Sequence, residues 1–293
     1  MGLGNKFGFL LRVINHVNHK ISNKIDKSIL DIENSPRLLT ISKNERTLIK
    51  KNAVFYNCHK GQRCFIIGNG PSLKSQDLAH LAGEITFAMS GFWKHPIVST
   101  WQPKYYFIAD PVFFDGSDPM KDFFTRLSIK IKKTEFFVPV YAKKTIEHDS
   151  LLPQEHIHYV HFNRSLAEGS VRKIDFTQTI PGVQSTSQFP IMAAMYMGCS
   201  PIYLMGLDHN FLAHRGQDQH FYPEKTIENH PRADGDTSKF SYKSDLEAML
   251  NLWKGYETIK MIADRQHIQI YNATEGGMLD VFLRVEYEKI FTR

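Results

Sequence analysis

Between residues 61 and 271 the sequence is a train of short apolar runs separated by polar turns and helical stretches. The runs are Arg63–Ile67, Ile85–Met89, Tyr105–Ala109, Phe136–Val140, His156–Phe162, Pro201–Met205 and Ile268–Tyr271. Several are apolar at nearly every position rather than at every second one. A strand of that kind has no solvent face, and a parallel sheet covered on both sides is the arrangement that buries it. The helical stretches between the runs supply the crossovers that parallel neighbours require. The expectation is therefore an α/β fold: a mostly parallel sheet with helices on both faces.

Two helices are well marked. Residues 188–198 are apolar almost all round (Phe189, Ile191, Met192, Ala193, Ala194, Met195), which places them inside the molecule, with Pro190 tolerated in the first turn. Residues 243–265 carry a stripe of Leu246, Met249, Leu250, Trp253, Tyr256, Ile259, Ile262 and Ala263, expected to face a core. Residues 1–55 read as a helical, basic N-terminal extension. Its stripe of Phe7, Leu10, Leu11, Ile14, Val17 and Ile21 suits two roles. One is packing on the domain or on a partner chain, as in a homo-oligomer. The other is a peripheral contact of residues 1–30 with an anionic membrane surface. Residues 56–293 form the main domain. Within it residues 212–242 are polar, rich in His, Asp, Gly and Ser, and come after a strand end. So long a loop in a compact domain reads as a lid.

The net charge of +6 among 293 residues is too mild for a nucleic-acid surface and suits an anionic substrate or an anionic membrane face. Three scattered cysteines, Cys58, Cys64 and Cys199, lack CxxC spacing. They point to a reducing compartment, and so to a cytoplasmic protein, with neither a disulfide framework nor a zinc site. Lysines and arginines interrupt the N-terminal apolar residues, so neither a membrane span nor a secretory signal is expected there.

Five places combine polar residues in a way that chemistry could use. The run Arg63–Ile67 flows into Gly68-Asn69-Gly70-Pro71-Ser72, a glycine turn with a helix expected near Gln76. Backbone amides and a helix start at such a turn can hold a phosphate, and Asn69 and Ser72 add side-chain hydrogen bonds. The loop is neither a Walker A sequence nor GxGxxG. Ser185-Thr186-Ser187 precede the buried helix, where one hydroxyl can cap and the others can hold an anion. Asp208 and Asn210 come after the strand ending at Met205. Asp110 and Ser90 come after two other strands, at the edge where open α/β sheets bind ligands. The lid carries His209, His214, His220 and His230; His220 is the first choice for a general base and His230 the next. Asp234-Gly235-Asp236 is left as a chance DxD triplet. His156 and His158 share a strand face and His161 turns away, which breaks a three-ligand metal site. No HExxH or GxSxG motif is present, so covalent hydrolysis is set aside.

These blocks resemble a known group of proteins. GNGPSL after a strand, the hydroxyl-rich turn before a helix ending in Met197-Gly198, and Ile202-Tyr203-Leu204-Met205-Gly206-Leu207-Asp208 together resemble the bacterial sialyltransferases of glycosyltransferase family 42. They resemble more closely still the MptE-like family, named for an archaeal 6-hydroxymethylpterin diphosphokinase. Residues 271–277, with Phe282 and Tyr287 after them, look like that family's usual ending. The resemblance covers about residues 61–291. It implies a Rossmann-like fold, with Asn69, Gly70 and Ser72 at the donor's phosphate and ribose. Thr186 and Ser187 match the Thr-Ser-Gly turn that holds the nucleotide in the sialyltransferases, and Asp110 falls where those enzymes place an Asn. Three positions depart from the pattern: Ser90 replaces an expected Asn, Val183 stands near an expected Arg, and Asn210 replaces a Tyr that would bind the leaving phosphate.

The function expected is transfer of a sugar, such as a nonulosonic acid, from a nucleotide-sugar donor to a cell-surface glycan or glycoconjugate. The catalytic residues expected are His220, Asp208 and Asp110. The donor nucleotide is expected at Gly68, Asn69, Gly70, Ser72, Ser90, Ser185, Thr186, Ser187 and Asn210. No cofactor or metal is required by this reading. The alternatives are an ATP- and Mg2+-dependent diphosphokinase acting on a pterin-like alcohol, and a non-catalytic nucleotide- or glycan-binding module.

Overall fold

The computed structural model describes residues 41–169, 171, 173–214, 219–223 and 241–292. The chain divides into two units, Met1–Lys43 and Asn44–Arg293, and the second carries the sheet and its helices. The apolar stripe of residues 7–21 lies outside the described residues. So do residues 215–218 and 224–240, which carry most of the lid with His230 and Asp234–Asp236.

Eight strands form one sheet in the order β10-β9-β8-β1-β2-β3-β4-β5. They are β1 (Cys64–Ile67), β2 (Ile85–Met89), β3 (Tyr105–Phe107), β4 (Glu135–Pro139), β5 (Ile157–Val160), β8 (Ile202–Met205), β9 (Ile270–Asn272) and β10 (Leu283–Arg284). Every pairing is parallel, with Ile67 opposite Ala88 on one side and Met205 on the other. The expected α/β architecture is what forms. β1 shows why: Cys64, Phe65, Ile66 and Ile67 are all fully buried, as a strand without a solvent face must be.

Alternate residues face opposite covers. On one side Cys64, Ile66, Phe87 and Phe107 pack into a core with α4 (Gln188–Tyr196), and behind it α5 (Tyr242–Arg265) supplies Leu252, Tyr256 and Ile259. On the other side Phe65 stacks on Tyr203 and Phe291, and Tyr106 lies against Phe136. Trp93, whose amide donates to the Tyr106 hydroxyl, meets Phe123 of α2 (Asp118–Lys130). Two shorter helices, α1 (Lys43–Lys50) and α3 (Lys143–Asp149), complete the α-helices among the described residues. Among the described residues no helix is long and apolar enough to cross a membrane.

Four expectations are corrected. Residues 44–55, read above with the extension, belong to the main body: the buried Asn52 amide donates to the carbonyls of Tyr159 and Phe176, and Phe55 enters the core. The run His156–Phe162 is not one strand. It breaks at His161, and β6 (Phe162–Ser165) leaves the main sheet to pair with β7 (Ile180–Gly182). The α5 stripe faces the core only in part: Met249 packs against it and Leu252 enters it, but Leu246 and Leu250 are 45% and 55% exposed. After Gly70 no α-helix forms. Two short 3-10 turns, Pro71–Lys74 and Leu78–Leu81, take its place, so no helix dipole of useful length stands behind the glycine loop.

Candidate active site

From β1 the chain builds outward through β2, β3, β4 and β5, then returns to lay β8 on the opposite side of β1. The strand order thus reverses between β1 and β8, and in such sheets the crevice outside the carboxyl ends at that point is where ligands bind. A cavity of about 510 Å3 lies there. The tips of β1, β2, β3 and β8 form its floor. The turn before α4 and residues 248–252 of α5 form one wall, and the segment 219–222 lies at the other. Of the twelve site residues expected from sequence, eleven line it: Gly68, Asn69, Gly70, Ser90, Asp110, Ser185, Thr186, Ser187, Asp208, Asn210 and His220. Ser72 is not among the lining residues.

The glycine loop is built differently from the expectation. The amide of Gly68 donates to the Met205 carbonyl and that of Gly70 to the Gly206 carbonyl, both at 2.8 Å. These two amides are committed within the protein and are not the anion cradle the sequence suggested. A Cβ on Gly68 would stand 2.3 Å from the Gly206 oxygen, and one on Gly70 1.7 Å from Asp208 Oδ2. The glycines are there because the β1 and β8 turns touch. Asp208 closes the contact: Oδ1 accepts from the Ser72 amide (3.2 Å) and Oδ2 from the Ser72 hydroxyl (2.8 Å). Burial pushes the Asp208 carboxyl above the usual carboxylate range, while the Ser72 bonds pull it back. Ser72 is therefore a structural partner rather than a ligand contact.

The tail that the family resemblance singled out serves the same joint. The Met278 amide donates to the Asp208 carbonyl, and the Leu207 amide to the Thr274 hydroxyl. The Arg284 guanidinium holds the carbonyls of Thr274, Gly276, Gly277 and Leu279.

What remains for a ligand is a set of neutral donors and acceptors together with the Asp110 carboxylate; among the described lining residues there is no Lys or Arg. Asn69 donates Nδ2 to the Met89 carbonyl (3.1 Å), and its buried Oδ1 has no partner among the described residues. Thr186 lines the wall beside Ser185. Ser90 lines the cavity with a left-handed backbone, φ +47°, a conformation that costs energy for a serine and that concentrates at functional sites. Asp110 uses Oδ1 to cap the turn Pro111–Phe114 through the Val112 amide (3.1 Å).

Ser187 is spent inside the protein. It does not cap α4; its hydroxyl bonds to Tyr256 Oη (2.6 Å) and to Ser185 Oγ (2.9 Å). The buried Gln188, which sequence reasoning missed, fixes this turn. Its Oε1 accepts from the Gln184 amide (2.9 Å) and its Nε2 donates to the Leu252 carbonyl (3.1 Å). A glutamine inside an otherwise apolar helix was the available signal.

Among the described residues two imidazoles line the cavity. His220 is held from behind: the Phe221 amide donates to the Asn69 carbonyl (2.8 Å), and the His220 ring stacks on Tyr222 (5.0 Å). Tyr222 is in turn covered by Lys94 (4.3 Å), whose ammonium burial pushes down to about 8. His209, counted with the lid histidines but not chosen as a base, also has a left-handed backbone (φ +47°), and burial lowers its imidazole to about 4. The signal for it was its place directly after Asp208 at a strand's carboxyl end.

No family model matches the chain, so membership of the MptE-like family finds no support there, and no curated protein matches it. Among solved structures the chain is similar to the sialyltransferase CstII from Campylobacter jejuni, determined in complex with the substrate analogue CMP-3FNeuAc. The TM-score is 0.46 at 15% identity, with 76% of this chain and 86% of that chain covered.

Proposed function

We propose that this protein is a transferase that moves a sugar from a nucleotide-activated donor to a hydroxyl of a glycan or glycoconjugate. One observation carries the reading: the tip of β1 and the hydroxyl-bearing turn before α4 share a single cavity at the point where strand order reverses. A nucleotide fits between them. Its phosphate lies against the Ser185–Thr186 turn, whose neutral donors hold it while it leaves, and a ribose hydroxyl donates to Asn69 Oδ1. The acceptor oxygen forms its bond to the sugar carbon as the bond from that carbon to the phosphate oxygen breaks. The proton lost by the acceptor goes to an imidazole of the wall, His220 or His209. A nonulosonic acid is the sugar that the sequence resemblance favours.

The diphosphokinase alternative asks a carboxylate at the sheet edge to hold Mg2+. Asp208 is poorly placed for that, since both its oxygens are bonded to Ser72. The discriminating experiment tracks nucleotide release from CMP- and UDP-sugars with EDTA present, and from ATP with Mg2+. Release of nucleoside monophosphate or diphosphate from a sugar donor in EDTA supports the proposal. AMP formed from ATP and abolished by EDTA contradicts it.

A further inference from the structure

We propose that His209, Tyr256, Ser187 and Ser185 form a proton relay that carries the acceptor's hydroxyl proton across the cavity wall to the departing phosphate oxygen. This deepens the sugar-transfer reading and rests on it.

The four groups are in unbroken contact. His209 Nε2 lies 2.7 Å from Tyr256 Oη, Tyr256 Oη 2.6 Å from Ser187 Oγ, and Ser187 Oγ 2.9 Å from Ser185 Oγ. The two ends, His209 and Ser185, both line the cavity. Between them Tyr256 is fully buried, and Ser187, which also borders the cavity, is only 3% exposed. Each group both donates and accepts, so the whole chain can reverse direction in one event. The His209 ring is fixed by its strained backbone and by Trp253 and Tyr256, whose ring centres lie 6.1 and 5.4 Å away. Such fixing suits a group whose two nitrogens must face different partners.

Burial decides how this imidazole can work. It holds the ring down at about 4, so an ordinary base that keeps its proton as imidazolium is disfavoured here. A relay avoids that charge. In the resting state Nε2–H donates to Tyr256, Tyr256 O–H to Ser187, Ser187 O–H to Ser185, and Ser185 O–H to the phosphate oxygen. As the acceptor oxygen bonds to the sugar carbon, its proton passes to His209 Nδ1. The Nε2 proton passes to Tyr256, the Tyr256 proton to Ser187, and the Ser187 proton to Ser185. The Ser185 proton ends on the phosphate oxygen whose bond to the sugar breaks. No residue is charged at the end, and exchange with water restores the first tautomer after the products leave.

The test uses the full chain and a nucleotide-sugar donor that it turns over. Tyr256→Phe removes the partner of His209 Nε2, and Ser187→Ala cuts the chain one group further on while leaving the His209–Tyr256 bond in place. In both, kcat is expected to fall on the order of 10^2-fold with the donor KM unchanged. A bowed proton inventory in H2O/D2O mixtures is expected to become linear. Nitrogen-15 NMR of the resting wild type is expected to show His209 with its proton on Nε2. A merely structural Tyr256 would lower the melting temperature or raise KM and leave the inventory bowed. Wild-type kcat and inventory in both variants, or a resting proton on Nδ1, overturns the relay alone. Absence of turnover of any nucleotide-sugar by the wild type overturns the transfer reading and the relay with it.

Discussion

Asp208 holds Ser72 through two hydrogen bonds, 3.2 Å to its amide and 2.8 Å to its hydroxyl, and so ties the turn after β8 to the turn after β1. The residues are 136 positions apart in sequence, and the cavity floor exists because this joint closes. A conspicuous carboxylate at a strand end thus has a structural role. Its consequences differ from those of a catalytic acid.

The first concerns charge. Burial raises the Asp208 carboxyl. A carboxyl raised on folding stabilises most below its unfolded value, and that contribution is lost as pH climbs through the folded one. At neutral pH its charge is a burden that an amide removes. Asp208→Asn is therefore expected to keep or raise the melting temperature at pH 7 and to keep turnover. Asp208→Ala leaves Ser72 unsatisfied and is expected to cost about 1–3 kcal/mol in urea unfolding.

The second concerns the loop glycine. Gly70 has an ordinary φ of −64°, so alanine there meets no backbone strain, but its Cβ would stand 1.7 Å from the Asp208 carboxylate and 2.8 Å from the Gly206 carbonyl oxygen. Gly70→Ala is expected to lose roughly 1–3 kcal/mol. Adding Asp208→Ala removes the nearer obstacle and leaves only the Gly206 carbonyl, so the double variant should be less destabilised than the sum of the two singles. Chemical unfolding of all four proteins measures the coupling directly.

The third concerns acid. His209 sits near 4 in the folded protein, below its ordinary value of about 6.5. A histidine lowered in this way contributes stability that is complete above the unfolded value and is lost as pH falls from about 6.5 toward the folded one. His59, His95, His158 and His161 are shifted in the same direction, all mainly by burial. Melting temperature is expected to decline as pH is lowered from neutrality toward 4, and His209→Gln should make that limb shallower.

Much of this was legible in the sequence because it arises from local pattern. The apolar runs located β1 to β4 and β8 within one or two residues, and the all-apolar stretch after Ser187 marked α4. What failed depended on contacts distant in sequence. Phe162 reads as the end of the β5 run, but its partner is Ile180, which periodicity cannot supply. The purpose of Gly68 and Gly70 was misread for the same reason, since a glycine needed by a phosphate and one needed by a neighbouring turn look alike. Ser187 and His209 exchanged importance because Tyr256, far along the chain from both, takes up the serine and orients the imidazole.

Sugar transfer requires nucleotide recognition in the cavity, and Asn69 offers the most direct probe. Its Nδ2 is used by the Met89 carbonyl, and its buried Oδ1 has no partner among the described residues. Isothermal titration of the wild type, Thr186→Val and Asn69→Asp with CMP, UDP and their sugars is the decisive measurement. Saturable binding of at least one nucleotide by the wild type is expected. Thr186→Val should weaken it by roughly tenfold, as the loss of one hydrogen bond to a charged group implies. Asn69→Asp, which loses the bond to the Met89 carbonyl and sets a carboxylate oxygen against it, displaces the ribose acceptor and should weaken it further. Failure of every nucleotide to bind, or equal affinity in all three proteins, would contradict the transferase reading.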